Sequence, residues 1–243
     1  MSDMTRTDAS SFDAILKGLG MGCAVLALVL PGHVTSTQSR QSAAVSAVNQ
    51  WPRVADFLSE EPSPAVRQMA DWVMASRDHH GMPFVIVDKQ HVRVFVFQPS
   101  GKLSGATPAL MGSALGDDSV SGIGEREMSA IRPHERTTPA GRFVSLPGVN
   151  SFGEDIVWVD YAAAVSMHRV RAKDPTERRL ERLASATPDD NRISFGCINL
   201  PAEFYDAVVK PALGTRRGVV YVLPETRPLQ AVFGDLIPAR QPS

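Results

Sequence analysis

Phe84-Val-Ile-Val-Asp-Lys-Gln-His-Val-Arg-Val-Phe-Val-Phe97 is the stretch that decides the fold. Phe84 to Asp88 is a short apolar run of β-branched and aromatic residues. Val92, Val94 and Val96 then alternate with Arg93, Phe95 and Phe97, the two-residue period of a strand. Only Lys89-Gln-His91 lies between the two runs, so they read as an antiparallel hairpin. Pro99-Ser-Gly-Lys102 follows as the next turn. Further strands are expected at Arg142–Leu146, Asp155–Asp160, the run 162–170 that carries His168, and Gly218–Leu223 as a closing strand.

Helices are few. Ser63 before Pro64 is a helix-start signal, and Val66, Met69, Ala70, Val73 and Met74 follow at helical spacing. His79-His80-Gly81 reads as the end of that helix rather than a metal site, because adjacent helical residues point apart. Asp174-Pro175 starts a charged helix with Leu180 and Leu183 as its apolar positions, and Pro201 opens another with Phe204 and Val208 on one side. Residues 112–137 are Gly-rich, polar and charged, and read as a long loop. Gly122-Ile-Gly124 within it lacks the strand and third glycine of a dinucleotide site. The expected class is mainly β with a few helices, an antiparallel barrel or sandwich rather than a doubly wound sheet.

The chain has 243 residues, 43% of them hydrophobic, with 25 basic and 26 acidic residues and a net charge of -1. One sizeable core is affordable at that length. The balance gives no electrostatic footprint for nucleic acid or an anionic membrane surface. Residues 19–30 form an apolar run behind Lys17, shorter than the roughly 20 residues of a membrane span. The organisation expected is a signal peptide or N-terminal membrane anchor over 1–31, a Ser/Thr/Gln-rich linker over 32–62, a leading helix over 63–81, a main domain over 82–224 and a tail over 225–243. Location in the periplasm or cell envelope follows, with membrane contact only through the N-terminal segment. A buried N-terminal helix of a cytosolic protein is the alternative.

Cys197, in Arg192-Ile-Ser-Phe-Gly-Cys-Ile-Asn-Leu-Pro201, carries the chemistry. The other cysteine, Cys23, lies in the leader run, so Cys197 is the lone thiol of the main domain. Inert packing among Ile193, Phe195 and Ile198 is one use for it, because free Cys is often buried. Thiolate chemistry is the other, and it needs a base, since a free thiol titrates near ~8.5. Of six histidines, His168 alone follows an apolar strand-like run and precedes the cysteine by an excursion that can fold back.

Met167-His168-Arg169, a connecting segment and Ser194-Phe-Gly-Cys-Ile-Asn199 together resemble the active-site signature of the L,D-transpeptidase (YkuD-type) family. Thr138-Pro-Ala-Gly-Arg-Phe143 resembles that family's Thr-Pro-x-Gly-x-Phe segment, and the 84–97 hairpin resembles its opening strands. The likeness spans roughly 82–224. It implies a YkuD-like β-sandwich or barrel with a catalytic groove and a flap, a role residues 112–137 would fill. It implies Cys197 as nucleophile, His168 as base and acid, and the Arg169 carbonyl as orienter of the imidazole. Gly196 and the Cys197 amide would lie near the oxyanion, supported by Ser194 and Asn199, with Arg192 a candidate substrate contact. The substrates implied are peptidoglycan stem peptides, with carbapenem inhibition and neither cofactor nor metal. A cysteine amidase or carboxypeptidase on the same scaffold, or a non-catalytic wall-binding domain, are the alternatives.

Two features depart from the family pattern. Phe195 stands where the signature has a second histidine and can neither donate, accept nor titrate. The connecting segment holds a whole expected helix, whose Arg178, Arg179 and Arg182 either meet an acidic peptide or simply face solvent.

Overall fold

The structure, a computed structural model, describes residues 53–234; the expected leader, most of the linker and residues 235–243 lie outside the described residues. The hairpin forms as read, with β1 (Phe84–Asp88) antiparallel to β2 (Arg93–Phe97) in the register Phe84 to Phe97 and Asp88 to Arg93. It continues into β3 (Leu103–Pro108) and the short β4 (Met111–Gly112). After the long loop come β5 (Gly141–Val149), β6 (Asp155–Asp160) and β7 (Val165–Arg169), then β8 (Arg192–Ser194), β9 (Ile198–Leu200) and β10 (Gly218–Val222). Eight strands form one sheet in the order β3-β2-β1-β10-β5-β6-β7-β9, and β4 pairs with β8 separately.

Both ends of this sheet meet. Leu110, between β3 and β4, exchanges two backbone hydrogen bonds with Asn199 of β9, at 2.9 and 2.8 Å. The sheet therefore curls into a nearly closed barrel, which protects its edges from further strand addition. Pairing is not all antiparallel, contrary to the expectation. Strands β1·β10, β4·β8 and β7·β9 are parallel. Each such pair needs a long crossover, which adjacency in sequence does not reveal. Gly218–Val222, expected to close the sheet, is instead one of its central strands.

Two apolar cores sit on opposite faces of the sheet. Val85, Val87, Val94, Val96, Val220 and Val222 point into the barrel with Met167 and Ile198. Phe84, Ile86, Phe95, Phe97, Val219 and Tyr221 point the other way. Over that outer face lies α1 (Pro64–Ser76), burying the five residues read at helical spacing. Both β1 and β10 are consequently buried at every position, which is why β1 reads as continuous apolar sequence.

Ser63 caps α1 through Val66 N–H and also donates to Asp88 at 2.6 Å, tying helix to hairpin turn. The helix ends at Arg77 in the left-handed region, two residues before the His pair. Beyond β7, the helices differ from the expected pattern. The charged segment is a 3-10 turn at Pro175–Glu177 followed by the short α2 (Arg179–Ala184), where Leu183 is buried and Leu180 exposed. After Pro201, α3 (Ala202–Phe204) passes through a π-helical turn (Tyr205–Val209) into α4 (Lys210–Leu213). Pro211 has no N–H for an i−4 bond, and the widened turn accommodates it. Tyr205, Val209 and Leu213 are this unit's fully buried residues, with Phe204 and Val208 packed only partly. Residues 225–234 pack as well, through Glu225 and the short α5 (Leu229–Phe233), whose Phe233 is buried.

Candidate active site

Strand alternation sets the cleft. On β7, Val165 and Met167 enter the barrel core, so Ser166 and His168 face the opposite way and line a cleft of about 420 Å³. Strand β9 runs parallel beside β7, with Met167 opposite Ile198 and His168 opposite Asn199. Cys197, one residue before that pairing, reaches the cleft between Ser166 and His168 and is half-buried. The two residues singled out in the sequence, 29 positions apart, are thus joined by a parallel crossover.

His168 Nδ1 lies 2.8 Å from the Arg169 carbonyl. A carbonyl only accepts, so Nδ1 carries the proton and Nε2 is free to accept from the thiol. Burial pushes the Cys197 thiol up, but the His168 hydrogen bond and charge, with help from Ser166, bring it below the usual thiol range. For His168, burial pulls down, and the bond to Cys197, its charge and the Arg169 carbonyl outweigh this to raise the imidazole. Both directions favour a thiolate–imidazolium pair.

The rest of the signature fixes the cysteine turn. Ser194 Oγ donates to the Cys197 carbonyl at 2.6 Å, and Asn199 Nδ2 donates to the same carbonyl at 3.2 Å. Gly196 N–H donates to Ser194 Oγ at 3.1 Å. That amide is therefore spent inside the turn, and of the two expected oxyanion donors the Cys197 amide remains. Gly196 has φ +131°, and a Cβ there would lie 2.7 Å from the Thr137 carbonyl. Gly196→Ala is expected to lower stability by about 1–3 kcal/mol and to slow Cys197 alkylation. Urea melts and thiol-labelling rates on the same sample check this; an unchanged pair would show the turn to be pliable.

Arg169 contributes only its carbonyl. Its guanidinium turns away to Asp206 and Asp155 and lies over the Tyr205 ring at 4.4 Å. Arg192 does not line the cleft. It pairs with Glu225 and donates to the Lys89 carbonyl at 2.6 Å. Phe195 lines the cleft and stacks under Arg136 at 4.0 Å, which joins the segment before Cys197 to the long loop. That loop also places Met128 on the cleft, and its body is three 3-10 turns. Of the three connecting-segment arginines, Arg179 reaches the cleft, bonded to Glu177 and to Asn199 Oδ1 at 2.8 Å. Arg178 pairs with Glu181 in solvent, and Arg182 holds the Glu177 and Asp190 carbonyls.

Lys89 is what the sequence reading missed. Its ammonium is fully buried and donates to Gly116 O at 2.6 Å, Asp117 Oδ1 at 2.8 Å and Thr138 O at 2.8 Å. Thr138 Oγ1 in turn donates to the Gly196 carbonyl at 2.8 Å and accepts from Gly112 N–H. The lysine therefore anchors both ends of the 112–137 loop beside the Cys197 turn. Only its place at a strand end hinted at this, since its partners lie far along the chain. Among the described residues no three His, Cys, Asp or Glu side chains are grouped to hold a metal ion.

No protein-family model and no curated protein matches this chain. Among solved structures it is similar to one described as the Ldtfm–avibactam carbamoyl enzyme, at 17% identity and TM-score 0.33, covering 59% of this chain and 49% of that one. It is also similar to the Enterococcus faecium L,D-transpeptidase C442S mutant, at 18% identity and TM-score 0.31, covering 58% and 50%. The catalytic domain of the E. faecium L,D-transpeptidase matches at 18% identity and TM-score 0.28, covering 58% and 96%. The matched region spans about half the length of the first two of these chains.

Proposed function

We propose that this protein is a cysteine acyltransferase of the L,D-transpeptidase type, acting on peptidoglycan stem peptides in the cell envelope. The observation that carries the reading is the His168 imidazole, held by the Arg169 carbonyl and lining the same open cleft as Cys197. In this scheme the Cys197 proton passes to His168 Nε2, and the thiolate attacks the carbonyl after the L-centre of the diaminopimelate residue. The developing oxyanion is met by the Cys197 amide, and the imidazolium returns its proton to the departing D-Ala amine. An acceptor amine, deprotonated by His168, then attacks the thioester and releases Cys197. Export rests on the apolar run at 19–30.

Mass spectrometry of muropeptides after incubating the full chain with tetrapeptide-rich peptidoglycan tests the reading. Cross-linked or amino-acid-exchanged stems are expected. Shortened stems alone would move the assignment to a carboxypeptidase or amidase that delivers the acyl group to water. Intact stems, with no carbapenem adduct on Cys197, would leave a wall-binding domain.

The thiolate pair also has a pH signature. With the thiol lowered and the imidazole raised, alkylation of Cys197 is expected to persist at pH values below those where an ordinary cysteine reacts. In His168→Gln the imidazolium is gone, so reactivity moves to higher pH while burial still opposes the thiolate. Iodoacetamide labelling across pH reads this; superimposable profiles would remove His168 from the site.

A further inference from the structure

The sulfur of Cys197 has more neighbours than the imidazole. In the strand register Ser166 lies one step before Met167 on β7, as Cys197 lies one step before Ile198 on β9, so Ser166 is the residue directly beside the nucleophile. Its Oγ is 3.7 Å from Cys197 Sγ. The serine is 4% exposed, and Cys197 Sγ is the partner its hydroxyl has. The Ala164 carbonyl also lies 3.6 Å from the sulfur and accepts from the S–H.

These contacts have opposite preferences. A thiol donates, and the Ala164 carbonyl suits it. A thiolate only accepts, so ionisation turns the Ala164 contact repulsive and leaves the sulfur in need of donors. His168 supplies one. Phe195, two residues before Cys197, supplies none, since its side chain has no donor. Ser166 can rotate its O–H onto the sulfur at no cost to another partner, because its Oγ has no competing acceptor among the described residues. Its burial within the cleft wall makes such a charge-assisted bond stronger than in water.

We propose that the Ser166 hydroxyl is a catalytic donor to the Cys197 thiolate, sharing with His168 the stabilisation of the ionised nucleophile. The proposal rests on the reading of Cys197 as a nucleophile. The proton still moves from Sγ to His168 Nε2; Ser166 keeps its own proton and turns it towards the sulfur. The other charged groups facing the cleft all lie on the connecting segment: Arg171, Lys173, Asp174, Glu177 and Arg179. Arg171 is paired with Glu154 and Arg179 with Glu177, so they form a background common to every variant below.

The test is the pH profile of Cys197 alkylation by iodoacetamide in the full chain, followed by mass spectrometry of the Cys197 peptide so that Cys23 does not contribute. Ser166→Ala is expected to slow labelling roughly tenfold on the acid side of the profile, with the alkaline plateau unchanged. The isosteric pair Ser166→Thr and Ser166→Val keeps the test valid if Ala unfolds the strand. Thr is expected to follow the wild type and Val to follow Ala. Coincident Thr and Val profiles, or an Ala profile matching the wild type, would overturn the proposal. Because labelling needs no wall substrate, a failed muropeptide assay with a Ser166-dependent profile would count against the substrate alone. A wild-type Cys197 that labels only at alkaline pH, like a free thiol, would overturn both.

Discussion

Cys197→Ala is expected to abolish turnover of tetrapeptide stems, by at least ~10³-fold, while melting within about 1 kcal/mol of the wild type. The reasoning is local. In the proposed reaction thiolate attack forms the acyl-enzyme, and no other cysteine lies among the described residues. Ser166 sits 3.7 Å from the sulfur, but among the described residues its hydroxyl is bonded to no basic side chain. Stability is spared because the turn around the cysteine is held through its carbonyl, by Ser194 and Asn199, and not through its side chain. Cys197→Ser is expected to be as inactive as Ala, because a hydroxyl is far less acidic than a thiol. Stem release measured by mass spectrometry, with a thermal melt on the same sample, gives the result. An Ala variant with wild-type turnover would refute nucleophilic catalysis by Cys197.

Lys89→Met is expected to have the largest effect on stability, about 3–5 kcal/mol. Methionine matches the length of lysine but donates nothing. The Asp117 carboxylate, 1% exposed, would lose its ammonium partner, and the Gly116 and Thr138 carbonyls would lose a donor. Glu225, 3.4 Å from the same ammonium, would keep Arg192. The deficit should depend on pH in a definite direction. Burial raises Asp117, but its bonds to Lys89, Thr226 and the Glu225 amide outweigh this and hold it well below the carboxylate range. A depressed folded-state value contributes stability that is present above the unfolded value, near ~3.9, and is lost as pH falls through the folded value. Removing Lys89 weakens that depression, so the gap between variant and wild type should be widest at neutral pH and narrow in acid. Urea unfolding at several pH values reads both numbers. A gap that widens in acid would mean that Lys89 acts through groups other than Asp117. Activity should fall too, because Lys89 reaches Gly196 through Thr138.

The cysteine site and the lysine anchor were legible to different degrees. Cys197 and His168 stand out in sequence because each is a rare reactive residue beside a strand-like run, and the signature around them is short and local. Ser194, Asn199 and Gly196 lie within three residues of Cys197, so their support of its turn could be anticipated: Ser194 and Asn199 hold its carbonyl, and Gly196 N–H donates to Ser194. Arg192 looked the same in sequence, yet it faces Glu225, which is 33 positions away. Lys89 looked like one more charged residue in a hairpin turn.

Local sequence by itself determined the hairpin, the helix over its outer face and the mainly β class, and it singled out Cys197 and His168 as candidates. Those readings depend on spacing within a dozen residues, where side-chain alternation and helix periodicity act directly. Only the tertiary structure decided that β10 enters the middle of the sheet, that β7 and β9 lie parallel, and that Leu110 closes the barrel on Asn199. Parallel pairing and barrel closure are contacts between distant segments, selected by burying both faces of β1 and β10 at once. No window of neighbouring residues carries that constraint. The same holds for the charges: Lys89 is buried because Asp117 and Glu225 are brought to it, and Ser166 meets Cys197 because two strands were set in register by the core behind them.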